Sequence, residues 1–379
     1  MTTRSIVLPS READAAPLTR HRQPLPALTG IRFIAAMQVV LFHFGATFAE
    51  RHGAPQLIVN VLGNGWTAVT LFFILSGFIL SYTYCGQIDQ PGGKLRFWEA
   101  RFARIYPVYF LSLILCWPFR GNPGPGLSIA VFTMVQAWVP FHIDYEGVWN
   151  MPAWTLSTEA FFYLLFIFVL PLLEKLSVRA LKYVAAATVL LIVFGHTMTH
   201  EVEPLCRVTG IPHPVFRFPE FLAGMTLGLI FLRSPSRTRR PWLLWTSLLT
   251  TLAVLTFVKG PWLSLLALPL AVLIYELAVE DSLVTKILSS KPFLLLGGAS
   301  YAVYLLQEPV RSWTHLAVTG SYDQQVPRGG IDTYLSPIIL VAFSICVFLF
   351  WEEPMRKWLR SIFKKVKLSV NTGFSPKPL

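Results

Sequence analysis

The sequence predicts an all-α polytopic membrane bundle of about ten transmembrane helices with both termini on the cytoplasmic side. Three observations carry that prediction. Of the 379 residues, 54% are hydrophobic and only 14% are charged, against roughly 25% charge in soluble globular domains. The apolar residues fall in blocks of about 20 with few interior charges, each long enough to cross roughly 30 Å of hydrocarbon as a helix. Ten such blocks consume roughly 200 positions, nearly the whole apolar stock, so little is left for a separate soluble domain. With ten spans, 25 of the 32 Lys and Arg residues also fall on one face, as the positive-inside bias requires.

In chain order, the first element is a polar lead-in. Met1 to Leu28 carries Arg4, Arg11, Arg20 and Arg22 without the apolar core of a signal peptide, so residues 1–28 read as a disordered cytoplasmic segment. Spans are expected at about 31–50, 65–85, 105–119, 155–173, 181–199, 216–232, 241–258, 262–279, 293–316 and 333–351. The block Leu127 to Val139 is short and lies between Pro-rich stretches, which predicts an interfacial or partly inserted segment instead of an eleventh span. Residues 29–355 thus form one membrane domain, and 356–379 a basic cytoplasmic tail.

Composition also excludes functions. The net charge of +12 follows the positive-inside bias, so membrane lipid is the expected partner and nucleic acid is not. The four cysteines show no CxxC spacing, and no GxSxG, P-loop or GxGxxG occurs. His196 and His200 stand four apart with Glu201 beyond, but without HExxH or a placed third ligand no metal is expected. Gly224 and Gly228 form the single GxxxG, which predicts close helix packing.

Ionisable groups within spans cost about 2.5–3.5 kcal/mol each, so the few present are candidates for function. His43 lies 11 residues beyond Arg32, roughly 16 Å along a helix, which puts it near mid-membrane if Arg32 marks the cytoplasmic surface. A neutral imidazole there suits a general base, and equally a histidine satisfied by one interhelical hydrogen bond. Arg101 and Arg104, three apart before the third span, share a helix face suited to phosphate oxygens; the same spacing also describes a juxtamembrane basic cluster. Glu159, flanked by Trp154, Ser157 and Tyr163, is either a carboxylate orienting an imidazole or acceptor, or an interfacial one beside an aromatic belt. Arg217, Glu220, Glu276, Glu308 and Arg311 complete the set.

Several segments, taken together, resemble the membrane-bound acyltransferase-3 family of bacterial O-acyltransferases, from about Leu28 to Trp358. LTGIRFIAAMQVVLFHF resembles the family's Arg, ten residues, His signature with Arg32 and His43; LFFILSGFIL resembles its SGF segment with Ser76, Gly77 and Phe78. RFARIYPVYF resembles the RxxR arginines, and PAWTLSTEAFFYLLF the Trp-Ser-Leu-x-x-Glu block with Glu159. RFPEFLAGMTLG, GGASYAVYLLQEPV and Glu353-Pro354 agree more weakly.

The resemblance implies transfer of an acyl group, usually acetyl from acetyl-CoA, to a hydroxyl of an envelope or secreted saccharide at the bacterial cytoplasmic membrane. It implies His43 as the catalytic histidine and Arg32, Arg101 and Arg104 as the donor-phosphate site, with Glu159 catalytic and on the acceptor side, and Trp154, Ser76 and Glu308 lining the substrate. His43 would deprotonate the acceptor or carry the acyl group itself. Two departures stand out: Gln307 replaces a histidine that many members carry, leaving Glu308 beside it as the substitute, and the SGNH-type domain fused to some members is not expected here. A polytopic transporter or lipid-linked sugar flippase is the competing reading, because buried charge suits either.

Overall fold

The computed structural model describes residues 22–121, 124–139, 149–199, 211–234, 240–279, 281–321 and 331–372. Among these the chain is all-helical. The main helices are α1 (Pro26–Arg51), α2 (Gln56–Gly63), α3 (Ala68–Tyr84), α4 (Gly93–Cys116), α5 (Pro125–Phe132), α6 (Trp154–Glu174) and α7 (Val178–Thr199). They continue as α8 (His213–Arg233), α9 (Pro241–Phe257), α10 (Ala267–Val279), α11 (Leu283–Leu288), α12 (Lys291–Thr319), α13 (Ile331–Val347) and α14 (Glu353–Thr372). Each of the ten expected apolar blocks is helical. Seven segments are long and apolar enough to cross a membrane: Pro26–Arg51, Gln56–Tyr84, Gly93–Phe119, Met151–Glu174, His213–Arg233, Gly260–Val279 and Thr333–Lys365.

Two boundaries move relative to the expectation. The third span starts at Gly93 instead of about 105, so Arg101 and Arg104 lie well inside α4, not ahead of it. The Leu127 to Val139 block holds only the eight-residue α5, about 12 Å long, and a short 3₁₀ turn, Gln136–Trp138. That turn clamps the start of α6: the Ala137 amide donates to Ser157 Oγ at 3.0 Å and the Trp138 indole to the Ser157 carbonyl at 2.8 Å. Asn150, 1% exposed, donates to Leu305 O and Ser112 Oγ at 3.0 Å each, tying the same end of α6 to α12 and α4. The neighbouring Trp149 adopts a left-handed φ of 53°, a conformation costing a side-chain-bearing residue about 1–3 kcal/mol and held here by the surrounding contacts.

Glycine notches set the helix packing. A Cβ on Gly77 would sit 2.1 Å from the Phe221 carbonyl oxygen, and one on Gly224 would sit 1.9 Å from that of Ile74, so α3 and α8 touch backbone to backbone. Gly228 continues the seam against Phe78, which is why the GxxxG and the SGF segment meet. Gly297 of α12 meets the Thr29 carbonyl in the same way, at 2.1 Å. With Arg311 of α12 lying over Phe44 of α1 further along both helices, α1 and α12 run side by side and parallel.

Basic residues gather at one end of the bundle. There Arg22 donates to the Cys85 carbonyl at 2.7 Å, Glu174 accepts from the Gly86 amide at 2.9 Å, and Arg233 donates to the Glu174 and Leu176 carbonyls. At the opposite end, Asn60 and Asn64 of the α2 region donate to carbonyls that close α9, at 2.9 and 2.8 Å.

Candidate active site

Five of the residues singled out from sequence converge. Arg32, Ser76, Arg101, Arg104 and Glu159 line one cavity of about 120 Å³ at the basic side of the bundle, with Tyr163 and Tyr301. They arrive from α1, α3, α4 and α6, with Tyr301 from α12. A second cavity of about 70 Å³ shares Arg32, Glu159 and Tyr301 and continues along α6 and α12 to Thr155 and Tyr304. The two lie in line, leading from Arg101 and Arg104 into the interior.

Each charge has distinct surroundings. Arg104 forms an ion pair with Glu352, which is fully buried, and Glu352 lies at the end of a five-residue π-helical turn, Phe348–Glu352. Such a turn inserts one residue per repeat and re-aims the side chains beyond it. It turns Glu352 inward while the adjacent Glu353 pairs with Arg356 along α14. Trp351 anchors the turn by donating to the Pro107 carbonyl at 2.9 Å. Arg101 instead stacks 5.8 Å over the Tyr84 ring, and its Nε is buried without a hydrogen-bond partner. Glu159 Oε2 accepts from the Tyr163 hydroxyl at 3.0 Å, a bond that holds the carboxylate in the cavity wall. Tyr301 is fixed by donating to the Ile105 carbonyl at 2.9 Å.

His43 lies about 16 Å further along the same face of α1, because 11 residues make just over three whole turns. It borders neither cavity. Its surroundings are the face of α12 beyond Tyr304, where Glu308 pairs with Arg120 at 2.6 Å and Arg311 at 3.8 Å, and Arg311 lies 5.9 Å over Phe44. Glu308 is thus a bridge between α12 and the end of α4, at the level of His43 and away from the arginine cavity. Trp154 opens α6 with its ring 5.0 Å from that of His213, outside both cavities. His200 lies outside the described residues.

A second buried group was flagged by sequence but not assigned. Arg217 and Glu220, 5% and 1% exposed, pair at 3.0 Å, and Thr70 donates to Glu220 Oε1 at 3.0 Å. Arg217 also lies 5.3 Å over Phe73. This group ties α8 to α3 beside the cavity wall that Phe73 and Thr155 form. Sequence reasoning missed Glu352, Tyr163 and Tyr301 as members of the site. Tyr163 carried a usable signal, the i, i+4 spacing from Glu159. Glu352 carried none, since its partner is 248 residues away.

A family model described as an acyltransferase domain matches residues 25–351. Acyltransferase MdmB of Streptomyces mycarofaciens is 30% identical over 326 residues, 78% of this chain and 81% of that protein. O-acetyltransferase OatA of Staphylococcus aureus is 24% identical over 373 residues, 88% of this chain and 57% of that protein. Peptidoglycan O-acetyltransferase OatA of Listeria monocytogenes is 24% identical over 337 residues, 78% of this chain and 51% of its own length. The chain therefore spans somewhat over half of the two OatA proteins. No solved structure matches significantly.

Proposed function

The chain belongs to the acyltransferase-3 family, and from that premise we propose an integral-membrane O-acyltransferase that moves an acetyl group from acetyl-CoA to a hydroxyl of an envelope or secreted saccharide. Residues 29–355 form its catalytic domain, crossing the bacterial cytoplasmic membrane ten times with both termini inside, and 356–379 its basic tail. The name of the Listeria relative, an O-acetyltransferase of peptidoglycan, supports a saccharide acceptor.

The observation that carries the reading is the convergence of Arg32, Arg101 and Arg104 on one cavity with Glu159. Arg104 is balanced by Glu352, whereas Arg32 and Arg101 have no ion-pair partner among the described residues. An orphaned buried guanidinium nitrogen on Arg101 fits an anionic ligand, and a planar fork fits phosphate oxygens. The donor supplies an acyl group activated as a thioester. Arg32, Arg101 and Arg104 bind its phosphates at the basic mouth, Arg104 through the guanidinium nitrogens that its pairing with Glu352 leaves over, and the cavity of about 120 Å³ admits only the thin arm of such a molecule. Glu159, Tyr163 and Ser76 orient polar groups within the wall. His43 takes the proton of the acceptor hydroxyl as its oxygen attacks the thioester carbonyl, and returns that proton to the departing thiolate. Glu308, held by Arg120 and Arg311, keeps a carboxylate at the level of the imidazole.

The test uses membranes containing the wild-type chain or His43→Ala, acetyl-CoA labelled in the acetyl group, and an envelope saccharide extract. Base-labile label on saccharide with the wild type alone, at equal protein level, upholds the proposal. Equal label with both removes His43 from catalysis, and label with neither removes acetyl-CoA or the saccharide.

A further inference from the structure

A cavity of about 750 Å³ lies between α7, α8, α9 and α10 and shares no lining residue with the arginine cavity. That volume falls within the roughly 300–1,000 Å³ of ligand sites. The α8 helix separates the two: Ala223, Leu227 and Ile230 face the cleft, while Gly224 and Gly228 face α3. Small side chains open the cleft. Ala185, Ala223 and Ala271 each leave space that a leucine would fill between helices about 8–10 Å apart.

Its polarity is graded along the helices. Lys182 near the start of α7, Ser234 just past α8 and Arg240 just before α9 form one rim, and both cations are exposed. From Lys182 to Leu190, α7 climbs about 12 Å, close to half of a hydrocarbon core of roughly 30 Å. At that far end Leu190 and Leu268, 59% and 56% exposed, leave the cleft open sideways to the hydrocarbon. A water-soluble ligand has no match for these walls. A hydrocarbon chain does, and the rim supplies charge complementary to a phosphate. The Glu276 carboxylate, 3% exposed, lies in the lining and keeps an anion out at the rim.

We infer that this cleft binds one anionic phospholipid from the leaflet at the basic end of the bundle, its phosphate on Lys182 and Arg240 and an acyl chain along Ala185, Leu227 and Leu268. The lipid is walled off from Arg32 and Glu159, so it is a resident of the fold and not the acyl acceptor. Bound there, it fills the gap among four helices whose α8 member also forms the seam with α3 behind the catalytic cavity.

The experiment uses the full-length protein in detergent, titrated with dioleoyl phosphatidylglycerol or dioleoyl phosphatidylcholine, with bound lipid counted by native mass spectrometry. Wild type is expected to hold phosphatidylglycerol more tightly. A lysine or arginine near an anionic headgroup contributes about five-fold in affinity, so Lys182→Ala with Arg240→Ala should weaken retention by about thirty-fold, to the level of the neutral lipid. Lys94→Ala with Arg96→Ala, at the same end of the bundle but away from the cleft, should leave it unchanged. Equal retention of the two lipids by wild type overturns the inference. So does undiminished phosphatidylglycerol binding in the Lys182 and Arg240 variant, or equal loss in the Lys94 and Arg96 variant. The readout is independent of acyl transfer, so it stands or falls separately from the proposed reaction.

Discussion

Arg101 and Arg104 are one helical turn apart and chemically identical, yet the structure gives them different consequences on removal. Arg104 neutralises Glu352, whose side chain is 0% exposed. Arg104→Ala strands that carboxylate, and stranding one member of a buried pair costs about 3–5 kcal/mol. Arg101 has no carboxylate partner, so Arg101→Ala strands no charge and should cost only about 0.5–1 kcal/mol for its lost contact over Tyr84. Toward the donor the two should act alike. Each lost charge-assisted hydrogen bond to phosphate costs about 1.5–3 kcal/mol, roughly a 10- to 150-fold rise in KM for acetyl-CoA at 1.4 kcal/mol per ten-fold. The assay is acetyl transfer in membranes over a range of acetyl-CoA concentrations, with thermal melting of the same variants in detergent. Arg104→Ala with Glu352→Gln separates the two effects: it should recover most of the melting temperature and none of the KM. Wild-type melting in Arg104→Ala would refute the ion-pair argument, and unchanged KM in both single variants would remove the pair from the donor site.

Three further predictions concern other parts of the bundle. His43→Ala should lower kcat by about 10²–10⁴-fold while leaving KM for acetyl-CoA near that of wild type, since His43 lies about 16 Å from Arg32; initial-rate kinetics in membranes checks both. Gly224→Ala should destabilise strongly, because its Cβ would lie 1.9 Å from a backbone oxygen, whereas Gly63→Ala meets open space and should gain up to about 1 kcal/mol of helix propensity; melting in detergent compares them. Arg217→Met should cost about 3–5 kcal/mol by leaving Glu220 buried, and adding Glu220→Gln should recover much of it, read by the same melts.

Much of the scaffold was legible locally. Helix formation in a membrane depends on apolar length within one segment, so every expected block is helical, and Arg32 and His43 lie on one continuous helix, α1, as the depth argument from their spacing assumed. The early start of α4 was not legible, because Lys94, Arg96, Arg101 and Arg104 depress mean hydropathy over turns that are nonetheless helical. The GxxxG reading as packing holds, and its partner is the SGF segment, whose Gly77 provides the opposing notch. The spacing that joined Arg101 to Arg104 could not show that one is paired and the other is not. Nor could it show that Glu308 bridges Arg120 and Arg311 instead of joining Glu159.

By itself, then, the sequence determined the helices, the basic end and the family, because hydropathy, charge bias and motif spacing are properties of contiguous residues. Only the tertiary structure decided which charges meet. Glu352 reaches Arg104 across 248 residues through a π-helical turn, and the lipid-facing cleft arises where alanines of α7, α8 and α10 happen to face one another. Such encounters depend on helix rotation and crossing, which the glycine contacts between helices fix and no single segment encodes.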